Sequence, residues 1–140
     1  MPGEQLLLDT GALVALLDRS QPQHRDFVSF FESWRGAVVS TEAVLTEATH
    51  LLGRVPGGRE RCLEFFLEGG AVLVPSNRSS LHRCRDLIAK YSDQDMDFAD
   101  ATLVVLAEEL ETGLVFTTDR RDFAVYRING REPFKILPEL

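Results

Sequence analysis

Four acids in this 140-residue chain stand where packing alone gives no reason for them. Asp9 ends the apolar run Leu6-Leu7-Leu8, and Leu13, Leu16 and Leu17 follow it at helical spacing. That is the pattern of a strand covered on both faces that stops on an acid and turns into a helix. Asp119 closes the run Leu114-Val115-Phe116-Thr117-Thr118 in the same manner. In a parallel α/β sheet both acids lie on the carboxyl edge, where ligands bind. Glu47, one turn from Val44 and Leu51, and Asp100, set between Ala99 and Ala101, belong to helices whose amphipathic pattern needs no acid there.

Gathered in one place, these carboxylates would repel, and burial would raise their pKa values unless a cation compensated. The set is all oxygen, with no Cys or His, which favours Mg²⁺ or Mn²⁺ over Zn²⁺. Such a site on a phosphodiester can activate water and stabilise the leaving oxygen, the logic of metal-assisted hydrolysis. Each acid alone has a plainer account. Asp9 and Asp119 could cap helices for about 1 kcal/mol each, Asp97 could cap a helix with Asp100 accepting at its third position, and Glu47 could be a surface carboxylate. Capping does not explain the joint pattern.

The elements that would position them alternate along the chain. After the first strand a helix is expected over Gly11 to Asp18, and a second opens at Pro22 with Phe27, Phe30, Phe31 and Trp34 on one face. Their helical spacing favours packing, in the core or between subunits, over a platform for bases. A strand over Ala37 to Val39 leads through Ser40, as N-cap, into a helix over Thr41 to Leu52. Further helices are expected over Arg59 to Glu68, Ser79 to Tyr91, and from Asp97 through Leu110, with strands at Ala71 to Val74, Leu114 to Thr118 and Phe134 to Leu137. A helical turn spans Arg120 to Tyr126, and Asn129-Gly130 turns the chain. This order indicates one domain over residues 1–140, a mainly parallel central sheet with helices on both faces.

Composition narrows the function. With 44% hydrophobic and 26% charged residues the chain reads as an ordinary globular protein, and it has no stretch near the roughly 20 apolar residues of a membrane span. The start, Met1-Pro2-Gly3-Glu4, lacks a secretion signal, so a cytoplasmic location is expected. Cys62 and Cys84 have no Cys-x-x-Cys spacing and His24, His50 and His82 are scattered, so neither zinc nor a disulfide is expected. The net charge of −7 argues against holding nucleic acid by bulk electrostatics, although two bound Mg²⁺ ions would bring it to −3. Phosphate contacts could come from Arg54, Arg59 and Arg61, from Arg83 and Arg85, or from Arg120 and Arg121 beside Asp119.

Taken together, Leu7-Leu8-Asp9-Thr10 with Leu13 to Asp18, Leu45-Thr46-Glu47-Ala48, Phe98-Ala99-Asp100-Ala101, and Phe116-Thr117-Thr118-Asp119 with Asp122-Phe123 resemble the motifs of PIN-domain endoribonucleases. The resemblance is closest to the VapC toxins of bacterial and archaeal toxin–antitoxin pairs, and it spans nearly the whole chain. It implies that Asp9, Glu47, Asp100 and Asp119 form an acidic metal site, with Asp9 and Asp100 as the leading Mg²⁺ ligands and Thr117 orienting the acid at 119. Thr10, Asp97 and Asp122 would support the site, and Asp122 competes with Asp119 for the fourth place. The resemblance further implies a single-stranded or loop RNA substrate, cleavage to a 3′-hydroxyl and a 5′-phosphate, a homodimer, and a cognate antitoxin that occupies the site. An arginine inserted by that partner could displace the cation.

Three other readings compete. Asp9-Thr10-Gly11 matches the aspartic-protease tripeptide, but helix rather than β-structure follows it. A Mg-dependent phosphatase or phosphotransfer domain would use Asp9 as nucleophile and want a second acid two residues on, where Gly11 stands. A non-cleaving RNA- or protein-binding PIN module would not need all four acids.

Overall fold

The computed structural model describes residues 4–139, so expectations about Met1 to Gly3 and Leu140 lie outside the described residues. The chain runs β1 (Gln5–Leu8), α1 (Thr10–Leu17), α2 (His24–Ser33), β2 (Ala37–Thr41), α3 (Glu42–Leu51), α4 (Gly58–Leu67), β3 (Val72–Val74), α5 (Arg78–Lys90), α6 (Phe98–Leu110), β4 (Leu114–Phe116), α7 (Arg120–Val125), β5 (Arg127–Ile128), β6 (Glu132–Pro133) and β7 (Lys135–Leu137). Five strands form one wholly parallel sheet in the order β3-β2-β1-β4-β7.

The three leucines of β1 explain its central place. Leu6, Leu7 and Leu8 are all 0% exposed, which only a strand with neighbours on both sides and helices on both faces can achieve. Leu7 is in register with Val39 of β2 and with Val115 of β4. From β1 the chain moves outward to β2 and β3, then crosses back to β4 and β7 on the other side. Right-handed crossovers therefore put α1 to α4 on one face and α5 with α6 on the other; α2 and α3 each pack on α1, α4 packs on α3, and α5 packs on α6, with α3 also touching α6.

The aromatic face of α2 belongs to this core. Phe27 stacks on Phe116 of β4 at 4.9 Å, Phe30 meets the same ring at 5.1 Å, and Phe31 meets Phe65 of α4 at 5.5 Å. Cys62 and Cys84 are free and buried, and burial pushes the Cys62 thiol up to about 11.

Four local expectations are corrected. Helix α2 starts at His24 instead of Pro22, because Ser20 and Gln21 fold back onto Asp18 and Gln21 O receives the His24 amide. Thr41, not Ser40, caps α3; the Ser40 hydroxyl donates instead to Leu8 O at 2.8 Å, pinning β2 to β1. β4 ends at Phe116, since the Thr117 hydroxyl accepts the Asp119 amide and bends the chain away. Finally, the turn at Asn129-Gly130, both left-handed at φ 54° and 72°, joins a small antiparallel hairpin, β5–β6, that the sequence pattern did not announce.

Candidate metal centre

β1 and β4 lie side by side, and the strand order reverses between them, so the crevice beyond their carboxyl ends is the topological switch point of the sheet. Asp9 is the first residue past β1 and is 5% exposed. Its amide donates to Phe116 O at 3.0 Å, which fixes it against β4. Although it occupies the N-cap position of α1, its side chain makes no capping bond; Oδ2 instead accepts the Thr117 hydroxyl at 2.6 Å. The capping account of Asp9 therefore fails.

Thr117 ties two acids together. Its hydroxyl donates to Asp9 and accepts the amide of Asp119 at 2.8 Å, so it orients Asp119 through the backbone and Asp9 through the carboxylate. Thr118 next to it lies against Gly11, where an added Cβ would collide with the Thr118 hydroxyl. A side chain at residue 11 would require the Thr118 hydroxyl to turn away. Capping does hold for the other two candidates: Asp119 accepts from Asp122 N at 3.0 Å, and Asp97 accepts from Asp100 N at 2.8 Å.

Helix α6 carries Asp100 to the same edge. Asp100, Asp119 and Asp122 each offer a carboxylate oxygen within 4.8 Å of the others. Oxygens around one octahedral Mg²⁺ lie about 3 Å apart when adjacent and about 4 Å apart when opposite. The oxygen-only donor set and its spacing thus fit a hard divalent cation. Both Asp119 and Asp122 come close to Asp100, and Asp119 caps the turn that presents Asp122. Asp9 stands just outside the trio, close enough for its charge to raise the pKa of Asp100.

Unneutralised, the cluster is electrostatically strained. Burial, then the charges of Asp119 and Glu47, push the Asp9 carboxyl up to about 6 against the pull of its Thr117 bond. Burial and the neighbouring Asp9 push Asp100 up to about 8. Asp122 is raised as well, first by burial and then by Asp119. The shared cause is desolvation of carboxylates next to one another, which a bound cation would reverse.

The remaining candidates lie around this core. Glu47 is half-buried on α3 and reaches the site only through its charge on Asp9. It borders, with His50, Asp97 and the 42%-exposed Phe98, an open cleft of about 800 Å³ between α3 and the start of α6. Thr10 buries its hydroxyl beside Asp9 with no hydrogen-bond partner. Arg120 donates to Pro138 O at 2.9 Å and so braces α7 against the chain end, whereas Arg121 is exposed and its charge is felt at Asp122. One contributor had no sequence signal: the Tyr126 hydroxyl donates to Asp100 Oδ2 at 2.7 Å.

Comparison with known proteins agrees with this geometry. The PIN domain model matches residues 6–129. The chain belongs to the PIN-domain family. Ribonuclease VapC26 of Mycobacterium tuberculosis is 32% identical over 135 residues, covering 95% of this PIN domain and 100% of the relative. Among solved structures, VapC20 of Mycobacterium tuberculosis, a toxin that cleaves the sarcin–ricin loop, superposes with a TM-score of 0.72 at 16% identity over 83% of this chain and 91% of its own. VapBC2 of Rickettsia felis, bound to a promoter DNA fragment, gives 0.65 at 12% identity over 96% of this chain and 99% of that one. At such identities the structural likeness establishes the fold.

Proposed function

We propose that this PIN domain is a metal-dependent endoribonuclease, the toxin of a type II toxin–antitoxin pair. The observation that carries the reading is the close approach of Asp100, Asp119 and Asp122 beside Asp9, at the switch point of a chain 32% identical to a named ribonuclease. Asp100, Asp119 and Asp122, with Asp9 beside them, would hold Mg²⁺, for which Mn²⁺ can substitute, and Glu47 would complete the negative wall. When bound, the cation supplies a Lewis acid that lowers the pKa of water and stabilises the leaving oxygen of the phosphodiester.

The chain's own residues prepare that chemistry. Thr117 holds one oxygen of Asp9, so the carboxylate does not rotate away when its charge is unbalanced. The amides of Asp100 and Asp122 are capped by Asp97 and Asp119, which fixes the first turns of α6 and α7, and these turns bring Asp100 and Asp122 close together. Arg121, exposed at the rim, is the cation placed to meet an RNA phosphate; Arg120 is already engaged with Pro138. RNA is the substrate in this reading, and the partners are a cognate antitoxin and a second copy of the chain. No helix among the described residues is long and apolar enough to cross a membrane, and a cytoplasmic location suits the proposed partners.

The phosphotransfer alternative is disfavoured by contact. The place a second acid would take is Gly11, and Thr118 fills the space a side chain there would need. The deciding experiment incubates antitoxin-free protein with structured and unstructured RNA in Mg²⁺ or Mn²⁺, beside Asp9→Asn and Asp100→Asn. Cleavage abolished by chelator and by both substitutions is the expected result. Cleavage surviving either, or a phospho-aspartyl adduct at Asp9, would overturn the reading.

A further inference from the structure

Tyr126 is the first residue after α7 and is 0% exposed. Its ring is fixed on several sides. Tyr91 meets it edge-on at 5.1 Å and Phe123 at 5.2 Å, and Phe123 is itself backed by Phe134 at 5.4 Å. Its amide donates to Asp122 O at 3.1 Å. A phenylalanine would fill such an aromatic pocket equally well, and a buried hydroxyl costs stability unless it has a partner. Here the partner is Asp100, 2.7 Å away.

The position of Tyr126 in the chain gives that bond a purpose. It follows directly on the helix that Asp119 caps and that carries Asp122 in its first turn. Asp100 comes from α6, on a separate crossover. The Tyr126–Asp100 bond is therefore a side-chain tie between the helix bearing Asp100 and the helix bearing the other two acids of the trio. It matches the Thr117–Asp9 bond across the site: in each case a buried hydroxyl holds Oδ2 of an aspartate.

We infer that Tyr126 is a positioning residue for the metal site, its hydroxyl fixing the Asp100 carboxylate in the orientation in which it shares a cation with Asp119 and Asp122. This rests on the proposed metal-dependent reading. Groups that orient a ligand from behind typically change metal affinity by about 10–100-fold when removed.

The test compares Tyr126→Phe with Tyr91→Phe. The second loses a buried hydroxyl from the same aromatic cluster, one that accepts the Arg127 amide at 2.9 Å and touches none of the acids. Both variants and the wild-type protein are melted in chelator to establish folding, then titrated with Mn²⁺ by calorimetry and by the spin signal of free Mn²⁺. Tyr126→Phe is expected to bind Mn²⁺ about 10-fold more weakly, with the metal-activation curve for RNA cleavage displaced equally and the rate recovering at saturating Mn²⁺. Tyr91→Phe is expected to bind as the wild type does. Unchanged affinity in Tyr126→Phe, or equal loss in both variants, overturns the inference while leaving the metal-dependent reading standing. A wild-type protein that binds no Mn²⁺ removes both together.

A measurement on the unaltered protein covers the case in which Tyr126→Phe does not fold. The chain has two tyrosines, Tyr91 and Tyr126. Mn²⁺ is expected to produce a tyrosine near-UV difference spectrum in the wild type and in Tyr91→Phe alike. A spectrum that is flat, or that disappears with Tyr91, contradicts the inference.

Discussion

Helix α1 has a buried aspartate at each end, and the two are treated in opposite ways. Asp9 at its start and Asp18 at its close are 5% and 3% exposed. The helix dipole favours an anion at the start and disfavours one at the close. The carboxyl pKa values run the other way: Asp9 is pushed up to about 6, while Asp18 is held well below the usual carboxylate range.

Hydrogen bonding decides the matter. Asp18 Oδ1 accepts the amide and hydroxyl of Ser20 at 3.0 and 2.7 Å, and Oδ2 accepts from Gln21 and Arg54 at 3.2 and 3.3 Å. It is covered by its own ligands. Asp9 is covered by apolar core and by other acids, with the Thr117 hydroxyl as its side-chain donor. A carboxylate whose acceptors are filled by the protein is structural. One buried with fewer donors, among like charges, is held ready for something the chain does not itself supply.

This contrast can be broken by substitution. The largest expected effect is on cleavage: Asp100→Asn should lower the rate by 10³-fold or more, the loss of several kcal/mol of transition-state stabilisation, in a gel-based assay of RNA cleavage. Asp18→Asn should leave cleavage per folded molecule unchanged but cost about 1–3 kcal/mol of stability in denaturant unfolding. A loss of cleavage in Asp18→Asn without loss of stability would erase the distinction.

Stability against pH should sharpen it further. Asp9 and Asp100 are raised, so between about pH 4 and their folded values of about 6 and 8 the native state holds more protons than the unfolded chain. The metal-free protein should therefore lose stability as pH rises through that interval. Asp100→Asn should flatten this limb and raise the melting temperature in chelator at pH 7, even as it abolishes cleavage. Asp18 is lowered, so its contribution is present above about pH 4 and lost as pH falls, and Asp18→Asn should flatten the acid limb. The smallest effect concerns Arg54, whose side chain is 58% exposed: Arg54→Met should cost no more than about 1 kcal/mol and fade in high salt.

Much of this site could be read in the sequence because strands advertise themselves. Three consecutive leucines before Asp9 and the apolar run before Asp119 set both acids at one sheet edge, and the fold does carry β1 and β4 side by side. What could not be read depends on direction. Asp122 lies on a short helix, and its approach to Asp100 follows from the cap that Asp119 makes, which is a matter of backbone angle. Tyr126 looks in the sequence like any core aromatic, and its one polar atom finds Asp100 across a separation of 26 residues. Ser40 is likewise the expected cap of α3, and Thr41 takes that place because the neighbouring strand claims the Ser40 hydroxyl.

The fit of Thr118 against Gly11 has a consequence in time as well as in space. With that contact, the loops after β1 and β4 are joined, and three of their amides are engaged: Asp9 with Phe116, Thr117 with Leu137, and Asp119 with the Thr117 hydroxyl. The first two cross from one strand end to the next, so their protons cannot exchange with solvent unless neighbouring strands separate. In hydrogen-exchange measurements residues 9 and 117 should be among the slowest in the chain, released by global unfolding instead of by local opening, with residue 119 faster. Slow exchange there would mean that Asp9 and its Thr117 tether sit on a rigid strand end, and that whatever adapts to the shape of an RNA is the surrounding surface.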